Sequence, residues 1–307
     1  MAMKSAKNAS GKFNFWQRDH KVLQILNIKG VEILTSSEAF EKYKIAREIF
    51  KEKPKEGYFV WVKEKTDFPL TTCITIASKK TSQNLQNLLI VERGIKVIAN
   101  VLCNAAKKLL HGTHFAKGKI LLKEGALLEY NHIHKWGEKD FVNPDYEFIL
   151  EKNSKVIYNY QNLLPPENLR LKTTLRLREN AACQVNVVLN GVNSRIKVEE
   201  VIFLEGKNSQ GVLRVRALAR KNSRIIINSA ILASAKSQGH LDCQGLIVDK
   251  KSKISLIPAL ICQTKEAQIT HEASIGKISE EQLTYLRMRG LTEKEAIDLI
   301  CSGFLKI

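Results

Sequence analysis

The chain has 307 residues, with 49 lysines and arginines against 31 aspartates and glutamates and a net charge of +18. That length allows one large domain or two ordinary ones. No run of eighteen apolar residues could cross a bilayer as a helix, and no apolar stretch near the N-terminus resembles a secretory signal. The expectation is a soluble cytoplasmic protein whose excess of positive charge suits a polyanion or an acidic protein partner.

Cysteines stand at 73, 103, 183, 243, 262 and 301, far apart and without a CxxC pair, so they read as reduced thiols rather than a zinc finger or a disulfide framework. No P-loop, dinucleotide fingerprint, GxSxG or HExxH motif occurs. The expectation is therefore a non-enzymatic chain, with any ATP bound by another subunit.

Residues 1–19 carry Lys4, Lys7, Lys12 and Arg18 with a single acid, Asp19, and read as a basic N-terminal tail. Residues 20–105 read as a small α/β region. Thr35-Ser36-Ser37-Glu38 is a capping box, and Phe40, Tyr43, Ala46 and Phe50 follow at helical spacing. Short β-like runs then start at Tyr58, Cys73, Leu88 and Ile95.

Residues 106–276 have another texture, short β-branched runs separated by polar turns. The turns recur as Asn193-Ser194-Arg195, Asn208-Ser209-Gln210, Asn222-Ser223-Arg224, Lys236-Ser237-Gln238, Lys251-Ser252-Lys253 and Lys265-Glu266-Ala267, at intervals of 14 or 15 residues. That period is too short for helical repeats and suits a β-helix in which two rungs complete one coil of 28 or 29 residues.

Counting from each anchor, the fourth and ninth positions are apolar and predict core columns. The sixth holds Glu200, Val215, Ser229, Cys243, Pro258 and Glu272, a polar column predicted to lie at a bend and to point away from the core. Cys243 and Glu272 would then sit one coil apart on one face, about 4.8 Å between strands. His271 and Asp242 occupy the neighbouring column, with Arg214 beneath. A thiolate beside a carboxylate or imidazole favours iron or a sulfide-bridged cluster. One chain offers too few thiolates for a four-cysteine cluster, so a second chain or a small thiol would complete the site.

Other candidates are weaker. His132 and His134 alternate as on one face of a strand, and His111 with His114 is spaced for a helix or turn; without a third ligand both pairs read as ordinary hydrogen-bonded or surface histidines. Cys73, Cys103 and Cys183 lie in apolar runs and read as core, whereas Cys262 faces out without a partner.

Residues 277–307 turn helical, from Ser279-Glu280-Glu281-Gln282 to Met288 and from Thr292-Glu293-Lys294-Glu295 toward Cys301, and are expected to cap the last coil. Here the sequence resembles a known family. His271-Glu272-Ala273-Ser274-Ile275-Gly276-Lys277-Ile278-Ser279-Glu280-Glu281-Gln282-Leu283, then Tyr285-Leu286-Arg287-Met288-Arg289-Gly290-Leu291 and Gly303-Phe304-Leu305, is similar to the C-terminal signature of the SufB/SufD iron–sulfur cluster assembly scaffolds. Upstream, Cys243-Gln244-Gly245-Leu246-Ile247 with Pro258 resembles the segment holding the cluster cysteine. The likeness is clear over about 180–305 and looser back to about 90.

The resemblance implies a mainly β protein, a right-handed parallel β-helix flanked by a small N-terminal α/β region and a C-terminal helical cap. It implies a scaffold for a transient iron–sulfur cluster, with Cys243 as thiolate, Glu272 as carboxylate ligand and His271 as ligand or neighbour, and Asp242 and Arg214 around them. The implied partners are a SufC-type ABC ATPase and a second scaffold, as homodimer or heterodimer with a SufB/SufD paralogue. The ATPase would dock on the C-terminal helices, through Glu281, Leu283, Tyr285, Leu286, Arg289, Gly290 and Leu291. The N-terminal region is shorter than in longer SufB proteins and resembles compact forms that pair with themselves. Two other classes compete: a basic nucleic-acid-binding solenoid, and a solenoid enzyme acting on an anionic polymer. The enzyme reading suffers because Glu200, Asp242 and Glu272 do not share one sheet.

Overall fold

The structure, a computed structural model, describes residues 13–306. Most of the tail expected at 1–19 therefore lies outside the described residues. Its last part forms β1 (Phe15–Arg18), which pairs with β2 (Lys21–Ile25). The strand β3 (Val31–Thr35) leads into helices α1 (Ser36–Lys42) and α2 (Lys44–Phe50), and then come β4 (Tyr58–Val62) and β5 (Leu70–Ile76). The predicted helix is thus two helices broken at Tyr43, an extended residue that caps both, although the Thr35–Glu38 capping box forms as read. Both pack on the outside of the solenoid through Ala39, Ala46 and Phe50 against Phe59, Leu88 and Ile90.

From there the chain winds through β6 (Ser82–Val91), β7 (Lys96–Ala105), β8 (Thr113–Leu122), β9 (Leu127–Lys135), β10 (Phe141–Leu150), β11 (Lys155–Leu164), β12 (Asn168–Leu177), β13 (Ala182–Val192), β14 (Arg195–Leu204), β15 (Ser209–Arg220), β16 (Arg224–Ala233), β17 (Ser237–Ile247), β18 (Lys253–Cys262) and β19 (Gln268–Lys277). Odd-numbered strands from β5 onward stack in one sheet, joined at its far edge by β1 and β2. The even-numbered strands from β4 onward stack in the other, with β3 at its edge. Pairing within each stack is parallel; β1–β2 and β3–β4 are the antiparallel exceptions. The ladder reaches back through β7 and β5 without a break at 105, so the solenoid begins earlier than the texture of the sequence suggested.

The repeating Asn-Ser turns form the corners. Asn193, Asn208 and Asn222 hold positive φ, a region asparagine tolerates better than branched residues. The following serines turn inward and are buried. Alternate serines stack, Ser194 N donating to Ser223 Oγ at 3.2 Å and Ser223 N to Ser252 Oγ at 3.1 Å, while Ser209 and Ser237 pair at the opposite corner. This is the arrangement expected if two rungs make one coil. On one face Asn100, Asn131, Asn159 and Asn186 make a side-chain ladder with hydrogen bonds of 2.8–3.0 Å.

Strands alternate strictly between inward and outward side chains, which decides the columns. The fourth position is core, as Val198, Leu213, Ile227 and Leu241 are buried. The ninth is not: Phe203, Leu232 and Ile261 face out, and Leu218 and Leu246 are covered only because a C-terminal helix lies over them. The sixth is inward as well, with Glu200, Val215, Ser229 and Cys243 all buried. The predicted bend is absent, since each rung is one straight strand and the two-residue period carries positions four and six to the same side.

The C-terminal helices α3 (Glu280–Met288) and α4 (Glu293–Phe304) do not close the end of the solenoid as expected. Cys301, with Ile297, Ile300 and Phe304 around it, packs on Leu218 and Leu246 at the outer face of the odd-strand sheet, and Arg220 pairs with Asp298 at 3.4 Å. The final turn, β18 and β19, is left exposed.

Candidate functional site

Cys243 lies on β17 with its side chain in the interior, its thiol donating weakly to Ser229 Oγ at 3.9 Å. Burial, reinforced by Glu200, pushes the thiol up to about 11, so at neutral pH it is a protonated thiol. Glu200, in the same even-strand column as Ser229, is fully buried with neither carboxylate oxygen hydrogen-bonded among the described residues. Burial alone pushes its carboxyl up to about 8. Thr173 precedes Glu200 in that column, so a file of polar side chains runs along the interior toward Cys243.

The pairing of Cys243 with Glu272 is not what the register gives. Cys243 lies beside Ala273, and Glu272 beside Asp242. The coil from β17 to β19 includes the turns 248–252 and 263–267 and is one residue longer than the interval counted from the sequence. A slip of one residue moves a side chain to the other face, so Glu272 stands outside while Cys243 points inside. Asp242 and Arg214 share the outer column with Glu272, but the partner of Asp242 is Arg216, whose Nη2 donates to Oδ2 at 2.7 Å.

His271 is the residue the register brings to the side of Cys243. It sits over Leu241 on the inward face of β19, exposed because no further strand follows. As the diagonal neighbour of Cys243 it lies about 8 Å away. Leu256, Leu260 and Ile269 line the same open end and are only partly buried, with Ile254 buried beneath them.

The residues expected to dock an ATPase lie on and just after α3. This helix buries none of its side chains: Tyr285 and Met288 are exposed, Leu283, Leu286 and Leu291 are half-covered, and Glu281 and Gly290 are open. Arg289 packs over the Tyr285 ring at 5.2 Å.

A second interior group unites residues expected separately, Cys103 as core and His132 with His134 as ordinary histidines. Cys103 on β7 and His132 and His134 on β9 are buried, with ligand atoms all within 4.8 Å of one another. Cys103 and His132 are 29 residues apart, one coil, a spacing visible only if the repeat is traced upstream of residue 193.

The chain is a two-sheet parallel β-solenoid with a buried cysteine one turn from its open end and a helical pair on its flank. The chain belongs to the SufBD family: residues 74–304 match the family model described as SUF system FeS cluster assembly, SufBD core domain. It is 29% identical over 256 residues to an iron–sulfur cluster assembly SufBD family protein of Methanothermobacter thermautotrophicus (strain Delta H), an alignment covering 82% of this chain and 62% of that protein. A SufBD family protein of Archaeoglobus fulgidus is 28% identical over 298 residues, 91% of this chain and 80% of its own length. The iron–sulfur cluster assembly protein SufB of Bacillus subtilis is 23% identical over 256 residues, 81% of this chain and 55% of its length. The chain thus spans less than two thirds of the Methanothermobacter relative.

Proposed function

We propose that this SufBD protein is a scaffold subunit that holds a nascent iron–sulfur cluster at its open solenoid end and is driven by a SufC-type ABC ATPase docked on α3 and α4. The observation that carries the reading is Cys243: a thiol sealed one turn beneath an uncapped, partly apolar end, with His271 beside it on the terminal strand.

A protonated, buried thiol is a poor cluster ligand, because iron and sulfide bind the thiolate. Holding a cluster therefore requires the last turn to move, which uncovers the thiol and lets it lose its proton. Cys243 and His271 then supply two donors from one face. Glu272, one residue along, reaches the cluster only from the rim. A second SufBD subunit set against the open end supplies the remaining ligands and covers the apolar side chains of β18 and β19. Force enters through α4, which rests on Leu246 of β17, the strand that carries Cys243.

Anaerobic reconstitution with ferrous iron and sulfide is expected to give a visible cluster chromophore in the wild type and none in Cys243→Ser. An unchanged spectrum in the variant overturns the assignment. Removal of residues 279–307 is expected to abolish co-purification with the ATPase while leaving the solenoid's β-sheet circular dichroism in place; retained binding would move that contact elsewhere on the chain.

A further inference from the structure

We infer that Cys103, His132 and His134 form a second, separate metal site inside the solenoid, one that takes a divalent transition ion of the zinc or ferrous class. The inference does not rest on the role of Cys243, which lies four strands further along the same sheet, about 19 Å at the usual strand spacing.

The three donors converge. His132 Nε2 lies 3.5 Å from Cys103 Sγ and 2.9 Å from His134 Nε2. A tetrahedral ion with metal–nitrogen bonds of about 2.0 Å and a metal–sulfur bond of about 2.3 Å has nitrogen–nitrogen edges of about 3.3 Å and nitrogen–sulfur edges of about 3.5 Å. These two separations are within a few tenths of an ångström of those edges, and the third, between Cys103 and His134, is within 4.8 Å and has to close when an ion binds. An ion could thus enter with small side-chain shifts and no change of backbone.

The hydrogen bonding around the group is poor without an ion. Two imidazole nitrogens face each other, and one must carry the proton between them. His132 Nδ1, His114 Nε2 and Trp136 Nε1 are buried without a hydrogen-bond partner among the described residues. Such orphaned groups are uncommon inside proteins; lying beside the donors rather than among them, they call for a water or small exogenous ligand next to the ion. Tyr160 Oη sits 3.0 Å from His134 Nδ1. In that position it can accept the Nδ1 proton and leave Nε2 free to ligate, the usual support for a metal-bound histidine.

The donor set selects the ion. One thiolate and two imidazoles suit zinc or ferrous iron and disfavour magnesium and calcium, which want oxygen. No fourth His, Cys, Asp or Glu among the described residues joins the group. The fourth position is left to a small exogenous ligand, as in open three-ligand sites. Binding displaces the Cys103 proton to solvent, and no electron transfer is involved.

Cobalt(II) is the test ion, because a tetrahedral site shows ligand-field bands in the visible and a thiolate charge-transfer band in the near ultraviolet. The full chain is produced in cobalt-supplemented medium with the exposed thiol removed by Cys262→Ser, and cobalt is measured by elemental analysis. The expected result is one cobalt per chain with both signatures. Cys243→Ser should leave them unchanged, which separates this site from the cluster site. Cys103→Ser should remove the charge-transfer band, and Tyr160→Phe, which keeps the ring, should weaken binding about tenfold. Absence of a cobalt–thiolate band in the Cys262→Ser protein, or its persistence in folded Cys103→Ser protein, overturns the site.

Discussion

Replacing Glu200 with glutamine is expected to flatten the pH dependence of stability on the alkaline side of neutrality. Burial raises the folded-state carboxyl from 4.5 to about 8. The folded protein therefore holds a proton that the unfolded chain has already released. Stability linked to this group is fully present below pH 4.5 and is lost as pH rises through 8, at up to about 1.4 kcal/mol per pH unit and about 5 kcal/mol in all. The buried histidines act in the other direction. Burial holds His114 and His132 down at about 3, so they cost stability as pH falls through the ordinary histidine value of 6.5 and very little above about pH 7.5. Above about pH 7.5 the fall belongs mainly to Glu200, joined toward pH 9 by buried thiols such as Cys243, pushed up to about 11. Between about pH 6.5 and 8.5 the urea midpoint of the wild type should fall relative to that of the Glu200→Gln variant by the equivalent of about 2 kcal/mol. Glu200→Gln should lack that fall, because the amide has nearly the same shape and no charge. A wild-type profile parallel to the variant's would mean that water or a counter-charge reaches Glu200 in the folded protein.

Glu200 also marks where the sequence misled. Its column is polar at Glu200, Ser229 and Cys243, and polarity by itself predicts an outward face. The two-residue alternation of a straight strand already required positions four and six to share a face, so apolar Val198 and polar Glu200 had to point the same way. The corners were readable because their chemistry is local: asparagine for a positive φ, then serine for the inward hydrogen bond. Register between distant coils was not. Turn length sets it, and the long turns 248–252 and 263–267 add a residue that no side-chain pattern announces, which is why Ala273 rather than Glu272 stands over Cys243. The likeness to SufB/SufD proteins singled out Cys243, Glu272 and His271, yet carried no information on which face each occupies; the register sets His271, not Glu272, on the inward face with Cys243. Cys103 was read as a core residue from its apolar surroundings. It is buried, as expected, but His132 lies one coil on. The flank position of the C-terminal helices had one sequence signal, Leu218 and Leu246, two large apolar residues on what alternation makes an outward column.

Gly118→Ala is expected to cost about 3 kcal/mol, at the upper end for one extra methyl group in a packed interior. Gly118 faces inward on β8 between Asn87 and Tyr146 in register. A Cβ there would lie 2.2 Å from Tyr146 Cε1 and 2.3 Å from Cδ1. The ring cannot swing aside. Tyr146 faces Asn87 across the glycine and packs edge-on to His132 at 5.1 Å. Tyr130 and Tyr158 fill the adjoining interior, and Tyr130 Oη shares a hydrogen bond of 3.1 Å with Tyr58. A methyl group at 118 therefore displaces a layer of buried rings rather than one side chain. The cost should depend on the ring: in a double-mutant cycle with Tyr146→Ala, the added methyl is expected to cost little, giving a coupling of about 2 kcal/mol in denaturant midpoints. Strict additivity would show that Tyr146 has room to move. The same cycle reads the metal site, since Tyr146 supports His132 from below. If the aromatic layer positions the ligands, Gly118→Ala should weaken cobalt binding as well as stability, whereas a substitution at Leu218, outside the solenoid wall, should affect the seating of α4 and leave cobalt bound.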